Sequence, residues 1–96
     1  MMITIENPDV KNQFKNRLAR IEGQLRGVQK MVDDGRDCKD ILQQLLAVRA
    51  ALQSASLTFI QDVAQDCALN QENTDNPKAQ YDQMMELIQL LGKVSQ

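Results

Sequence analysis

The two cysteines of the chain, Cys38 and Cys67, are the residues whose type and spacing most directly suggest chemistry. Thiols bind soft metal ions, react with oxidised sulfur species, or pack as small apolar groups. Histidine is absent from the sequence, so a nucleophilic cysteine lacks its usual base and a metal its usual nitrogen ligand. Neither a glycine-rich phosphate loop nor a metal-hydrolase spacing is present. The sequence therefore predicts a protein that is not an enzyme.

A single long helix is predicted to contain both cysteines. Apolar residues recur at helical spacing on the face of Cys38, and neither Gly nor Pro interrupts the pattern before Cys67. Asp37 is the predicted N-cap of this helix. The 29-residue spacing corresponds to about 20° around the helix and about 43 Å along its axis. The two thiols therefore share a face but cannot meet within one straight helix.

A second copy of the chain, lying antiparallel on this face, would bring Cys38 of each subunit to Cys67 of the other. In that register residue i lies opposite about residue 105 minus i, so that apolar residues meet. The predicted contacts are Leu42 with Val63, Leu45 with Ile60, and Leu52 near the two-fold axis. A break that folds the helix into a hairpin, and so pairs the cysteines within one chain, is the alternative.

Three kinds of chemistry remain open for the thiol pair. Two thiolates make a plausible linear site for Cu(I), but a poor one for Zn(II), Ni(II) or Co(II), which prefer more ligands that include imidazole. Sulfur chemistry needs only the thiols, because one attacks an oxidised sulfur atom and the other resolves the product. The third hypothesis is a helical scaffold whose cysteines are inert. No resident cofactor is predicted.

The rest of the chain predicts an all-α fold with three helices in a single domain, residues 1–96. A short arm precedes a first helix from about Asp9 to Asp33, and Asp34-Gly35 forms a turn before the long helix. The polar segment Ala68–Asn76 is predicted to be a loop. Asn76 is the predicted N-cap of a short third helix, and Pro77 occupies its first turn. Long helices with apolar stripes cannot cover themselves in so small a chain, which predicts a homo-oligomer.

Charge is distributed unevenly along the chain. The net charge is −2, yet residues 11–30 contain six Lys or Arg and a single acid, Glu22. Such a basic stretch on one helix is typical of a surface that binds a polyanion. The sequence shows no signal peptide, lipidation motif or apolar run long enough to span a bilayer. A cytoplasmic location with no membrane partner is therefore expected.

Three segments carry a family resemblance: Arg17–Val28, Asp37–Gln44 and Ala47–Leu52. In their order and spacing the chain resembles the CsoR/RcnR family of bacterial repressors over about Lys11 to Cys67. The resemblance implies a disc-shaped tetramer, built as a dimer of dimers, that binds operator DNA and releases it when an effector reaches the cysteines. The chain is most similar to the CsoR-like sulfurtransferase repressor (CstR) group, which responds to persulfides and polysulfides by linking two thiols between subunits.

The family's copper sensors use a Cys, His, Cys set across the dimer interface. Cys38 and Cys67 match the two cysteines, but Val63 occupies the position of the histidine, and the glutamate of the third helix appears as Glu86. The resemblance thus implies that Val63 and Glu86 lie beside the thiols. A Cu(I)-responsive repressor with a two-thiolate site is the alternative to a sensor of reactive sulfur, and the missing histidine disfavours it.

DNA contacts are expected on the basic face of the first helix. Lys15, Arg17 and Arg20 are the predicted contacts to phosphates or base edges, and Arg49 of the second helix is a further candidate. Arg49 lies on the same face of the second helix as the cysteines, so the predicted dimer interface competes with DNA for its side chain. The family has an additional basic position near Ser54, where this chain has only a hydroxyl.

Overall fold

The computed structural model consists of three α-helices: α1 (Pro8–Asp33), α2 (Cys38–Leu69) and α3 (Pro77–Val94). It describes residues 4–69 and 76–94, with side chains described as far as residue 66 in α2 and residue 92 in α3. No strand occurs in these two ranges, and the prediction of an all-α, three-helix chain is confirmed. None of the described helices is long and apolar enough to cross a membrane.

The prediction that a loop begins at Ala68 is wrong. Helix α2 includes Ala68 and Leu69, because both are good helix formers and the run of polar residues starts only at Asn70. The rest of the predicted loop, residues 70–75, lies outside the described residues, as do residues 1–3 of the predicted arm.

Local chemistry defines both ends of α1. Asn7 is the N-cap, with its Oδ1 accepting a hydrogen bond from the N–H of Asp9 at 2.9 Å, and Pro8 occupies the first helical position. At the other end Gly35 has a φ of +69°, which glycine adopts without a Cβ clash. The N–H groups of Gly35 and Arg36 donate to the carbonyls of Val32 and Met31. These two bonds form a Schellman motif, which ends the helix and turns the chain into α2.

The other two helices begin with side-chain caps as well. The Asp37 Oδ1 accepts from the N–H of Lys39 at 3.1 Å, and the Asn76 Oδ1 accepts from the N–H of Ala79 at 3.1 Å. Each cap satisfies a backbone donor that has no partner inside its own helix. The predicted caps of α2 and α3 are therefore confirmed.

Helices α1 and α2 form an antiparallel pair around a thin core. The core consists of the buried residues Ile21, Val28, Val48 and Ala55, with Ile41 and Ala51 packed against them. At the end of the pair remote from the turn, the rings of Phe14 and Phe59 stack with their centroids 4.6 Å apart. Helix α3 packs on α2 through fewer contacts.

Only part of each apolar stripe is buried within the chain. In α2, Val48 and Ala55 face the core, whereas many leucines on neighbouring faces are exposed. The exposed leucines of α2 are Leu42, Leu45, Leu46, Leu52 and Leu57. On α3, Tyr81, Met85, Ile88 and Leu90 are exposed as well. So much exposed apolar surface on a small helical chain is typical of subunits that associate.

Candidate functional site

Cys38 is the first residue of α2, and its thiol is free and exposed. The preceding residue, Asp37, caps the helix through its carboxylate. An exposed ion pair joins Arg36 and Asp40 across this turn, with 3.8 Å between Nη2 and Oδ2. The sulfur atom is thus accessible from solvent to a small reagent or to a thiol of another chain.

Helix α2 runs without a break from Cys38 past Cys67. The positions of the two cysteines are therefore about 43 Å apart along the axis, at 1.5 Å per residue. This distance excludes the hairpin alternative, in which both cysteines of one chain meet. The side chain of Cys67 lies outside the described part of the structure, so its predicted pairing with Cys38 of another subunit stays a prediction.

Val63 is 5% exposed and offers no atom that can bind a metal. Glu86 lies on an exposed part of α3. Among the described residues, no three His, Cys, Asp or Glu side chains lie close enough together to hold a metal ion. With no histidine in the chain, its residues do not fit a copper site made of two thiolates and one imidazole. Its two thiols fit a two-thiolate site shared between chains.

The predicted dimer face differs between the two halves of α2. Leu42 and Leu45 are exposed, whereas their predicted partners, Ile60 and Val63, are already buried within their own chain. A buried side chain has little surface left to offer a second subunit. Among these predicted pairs, the leucines of the first half therefore supply most of the exposed apolar surface, and the pairs themselves remain untested.

The predicted DNA-binding residues occupy two different surfaces. Lys15, Arg20 and Arg49 are exposed, whereas Arg17 is partly buried. Arg17 and Arg20 line a groove of about 320 Å³ between α1 and α2. The other residues that line it are Ile21, Gln24, Ala51, Ser54 and Ala55. Arg49 lies outside the groove, one turn from both Leu45 and Leu52 on the leucine-bearing side of α2.

Sequence reasoning missed an acidic partner for Arg17. The Nη1 of Arg17 lies 3.5 Å from the Oδ2 of Asp62. The two residues are 45 positions apart in the sequence, on helices whose relative register is set by core packing. Their opposite charges were visible in the sequence, but their proximity was not.

Comparison with known proteins places this geometry in a family. Residues 10–93 match the family described as "Metal-sensitive transcriptional repressor". The copper-sensing transcriptional repressor CsoR of Bacillus subtilis (strain 168) is 51% identical over 57 residues, which cover 59% of this chain and 56% of that protein. The copper-sensing transcriptional repressor RicR of Mycobacterium tuberculosis is 37% identical over 57 residues, 59% of each chain. The chain thus spans a little more than half the length of these curated relatives.

Solved structures cover nearly the whole chain. The copper-sensing repressor CsoR with Cu(I) from Geobacillus thermodenitrificans NG80-2 superposes with a TM-score of 0.73 and 35% identity, over 95% of this chain and 94% of that one. The nickel-responsive transcriptional regulator InrS gives a TM-score of 0.70 and 28% identity, over 95% and 99%. The chain therefore belongs to the family of metal-sensitive transcriptional repressors, whose members regulate transcription and are not enzymes.

Proposed function

We propose that this protein is a repressor that binds operator DNA and releases it when persulfides or polysulfides link Cys38 of one subunit to Cys67 of another. The observation that supports this effector most directly is the donor set. The chain has two thiols and no histidine, and the buried Val63 stands where the family resemblance places the metal-binding imidazole. Sulfur transfer requires two thiols and no third ligand.

The proposed active form is an antiparallel homodimer that assembles further as a dimer of dimers. Two-fold symmetry then creates two identical thiol pairs per dimer. The continuous α2 helix and its exposed leucines support this arrangement, because the chain cannot pair its own cysteines and leaves apolar surface beside Cys38. Each link would join the two long helices near one end of the dimer.

The proposed reaction with an organic trisulfide balances as two exchange steps. The Cys38 thiolate attacks the central sulfur, forms one S–S bond, breaks another and releases one thiolate RS⁻. The Cys67 thiolate of the second subunit then attacks the transferred sulfur and releases the second RS⁻. The product is a trisulfide between subunits, and the reagent has been reduced by two electrons to two thiolates. We expect Cys38 to react first, because it lies at the positive end of a helix dipole.

A second candidate effector is Cu(I), and the comparisons favour it. Two relatives that match this chain are copper-sensing repressors, and one similar structure holds Cu(I). Cu(I) is a soft ion for which two thiolates are suitable ligands. In this hypothesis Cys38 and Cys67 of two subunits hold the ion and no imidazole takes part.

Mass spectrometry and DNA binding together distinguish the two effectors. The intact protein is treated with an organic trisulfide or with Cu(I), and its affinity for the promoter DNA of its own gene is measured in parallel. We expect the trisulfide to add sulfur, to link subunits covalently and to release the DNA. Cys38→Ser should still bind DNA but should not respond, whereas Cys67→Ser should gain sulfur at Cys38 without a link.

Release of DNA by one Cu(I) per thiol pair, with no effect of the trisulfide, would show that the protein is a copper sensor. If the protein keeps its DNA under both treatments, the cysteines are inert toward both effectors. A link within one chain would contradict the dimer geometry, since α2 separates the two positions.

The proposed DNA surface includes Lys15 and Arg20 of α1, with Arg17 held partly back by its ion pair. Neutralising Arg20 should weaken binding and make the dependence of affinity on salt less steep, by about 0.9 in the log–log slope for each lost phosphate contact. Lys78→Gln is the matched control, because Lys78 is an exposed lysine of a different helix, α3. Equal effects of the two substitutions would place the DNA surface elsewhere.

A further inference from the structure

Among the described residues of α1, Arg17 pairs with a carboxylate of another helix, whereas the exposed Arg26 pairs with Glu22 of α1 itself at 4.0 Å. The Nη1 of Arg17 and the Oδ2 of Asp62 are 3.5 Å apart, and the side chains are 35% and 25% exposed. Both atoms are themselves buried, and neither makes a hydrogen bond to another described residue. The contact is therefore an ion pair without a well-formed hydrogen bond, in which each charge is only partly compensated.

The position of Arg17 makes this loose pairing relevant to DNA. The same side chain lines the groove between α1 and α2 together with Arg20, Gln24 and Ser54. A guanidinium offers five N–H donors and pairs well with a phosphate through two of them. A phosphate that enters the groove would meet Arg20 directly, but it would have to compete with Asp62 for Arg17.

We propose that Asp62 is an intramolecular competitor of the DNA phosphate for Arg17, and that it lowers the affinity of the repressor for DNA. This inference rests on the proposed DNA-binding function and adds a residue of opposite charge to the surface. When the guanidinium turns from Asp62 to a phosphate, it releases one condensed counterion from the DNA. In the chain free of DNA, the pair holds the guanidinium of Arg17 beside Asp62 of α2.

Asp62→Asn tests the proposal because it removes the charge and keeps the shape. Binding is measured by fluorescence anisotropy, over a range of salt concentrations, to a mixed-sequence duplex of about three helical turns, or roughly 30 base pairs. We expect tighter binding at low salt and a log–log slope steeper by about 0.9 for each added phosphate contact. From 50 to 200 mM salt, each such contact corresponds to about a threefold greater loss of affinity.

Asp82→Asn is the matched control, because it removes the same charge from an exposed site on α3. The double variant with Arg17→Gln is the second control. If Asp62 acts through Arg17, Asp62→Asn in the Arg17→Gln background should raise the affinity for DNA no more than Asp82→Asn does. Circular dichroism checks folding, and Asp62→Ser replaces Asp62→Asn if the latter does not fold.

The outcomes separate this inference from the function on which it rests. If the wild type binds the duplex but Asp62→Asn does not bind it more tightly than the control Asp82→Asn does, the competitor role of Asp62 is overturned. The proposed DNA-binding function is not affected by that outcome. Weaker binding would mean that Asp62 instead orients Arg17 for DNA, and a gain that persists without Arg17 would mean a general charge effect. If neither the wild type nor any variant binds the duplex, the proposed function and this inference both fail.

Discussion

Replacing Leu52 by Ala should weaken the proposed dimer far more than the same change at Leu57. The two leucines are almost equally exposed in the chain, at 49% and 48%. They are five residues apart on α2, which separates them by about 140° around the helix. Leu52 lies on the predicted dimer face near the two-fold axis, and Leu57 points away from it.

The expected magnitude follows from the exposed fraction of the side chain. Leu→Ala removes three carbons, worth about 2.4 kcal/mol when fully buried at roughly 0.8 kcal/mol each. About half of Leu52 is still exposed in the single chain, so dimerisation would gain about 1.2 kcal/mol from these carbons in each subunit. Both subunits contribute, which gives about 2.4 kcal/mol per dimer and raises its dissociation constant roughly sixtyfold.

Sedimentation equilibrium over a range of protein concentrations measures the monomer–dimer step. Leu57→Ala should leave that step unchanged, even if it affects assembly of dimers into larger oligomers, because the two steps differ in mass. Equal dimer dissociation constants for the two variants would refute the placement of the dimer face. So would a weaker dimer in Leu57→Ala alone.

Four further substitutions test the local reasoning. Each is measured by urea unfolding at one fixed protein concentration, since association contributes to stability. Gly35→Ala should lower the free energy of unfolding by about 1 kcal/mol, because φ at this position is positive. Gly23→Ala should raise it by up to about 1 kcal/mol, since nothing lies within 4 Å of the added Cβ. The opposite order of the two variants would contradict both arguments. Phe14→Leu should lower the free energy of unfolding by about 1 kcal/mol more than the loss of buried area alone would, because the ring stacks on Phe59. If Phe14→Leu lowers it equally when Phe59 has already been replaced by Leu, the stacking adds nothing to stability. Asn7→Ala should cost about 1 kcal/mol through the lost N-cap of α1, and an unchanged unfolding midpoint would show that this cap is not needed.

The sequence by itself determined where the helices begin and where α1 ends. Asn7-Pro8, Asp37 and Asn76-Pro77 are short-range signals, and the capping bonds they form join residues two or three positions apart. Gly35 ends α1 for an equally local reason, its positive φ. Because such bonds depend on neighbouring residues alone, they can be read without knowing the fold. The continuity of α2 between the two cysteines follows in the same way from the absence of helix-breaking residues between them.

Only the tertiary structure decided which residues of each stripe are buried and which charges meet. Val48 and Leu52 both belong to the apolar stripe of α2, but α1 covers the first and leaves the second exposed. Likewise, the ion pair between Arg17 and Asp62 depends on the axial register of α1 against α2. Side-chain packing in the core sets that register, and helical periodicity gives the azimuth of a residue but not its partner on another helix.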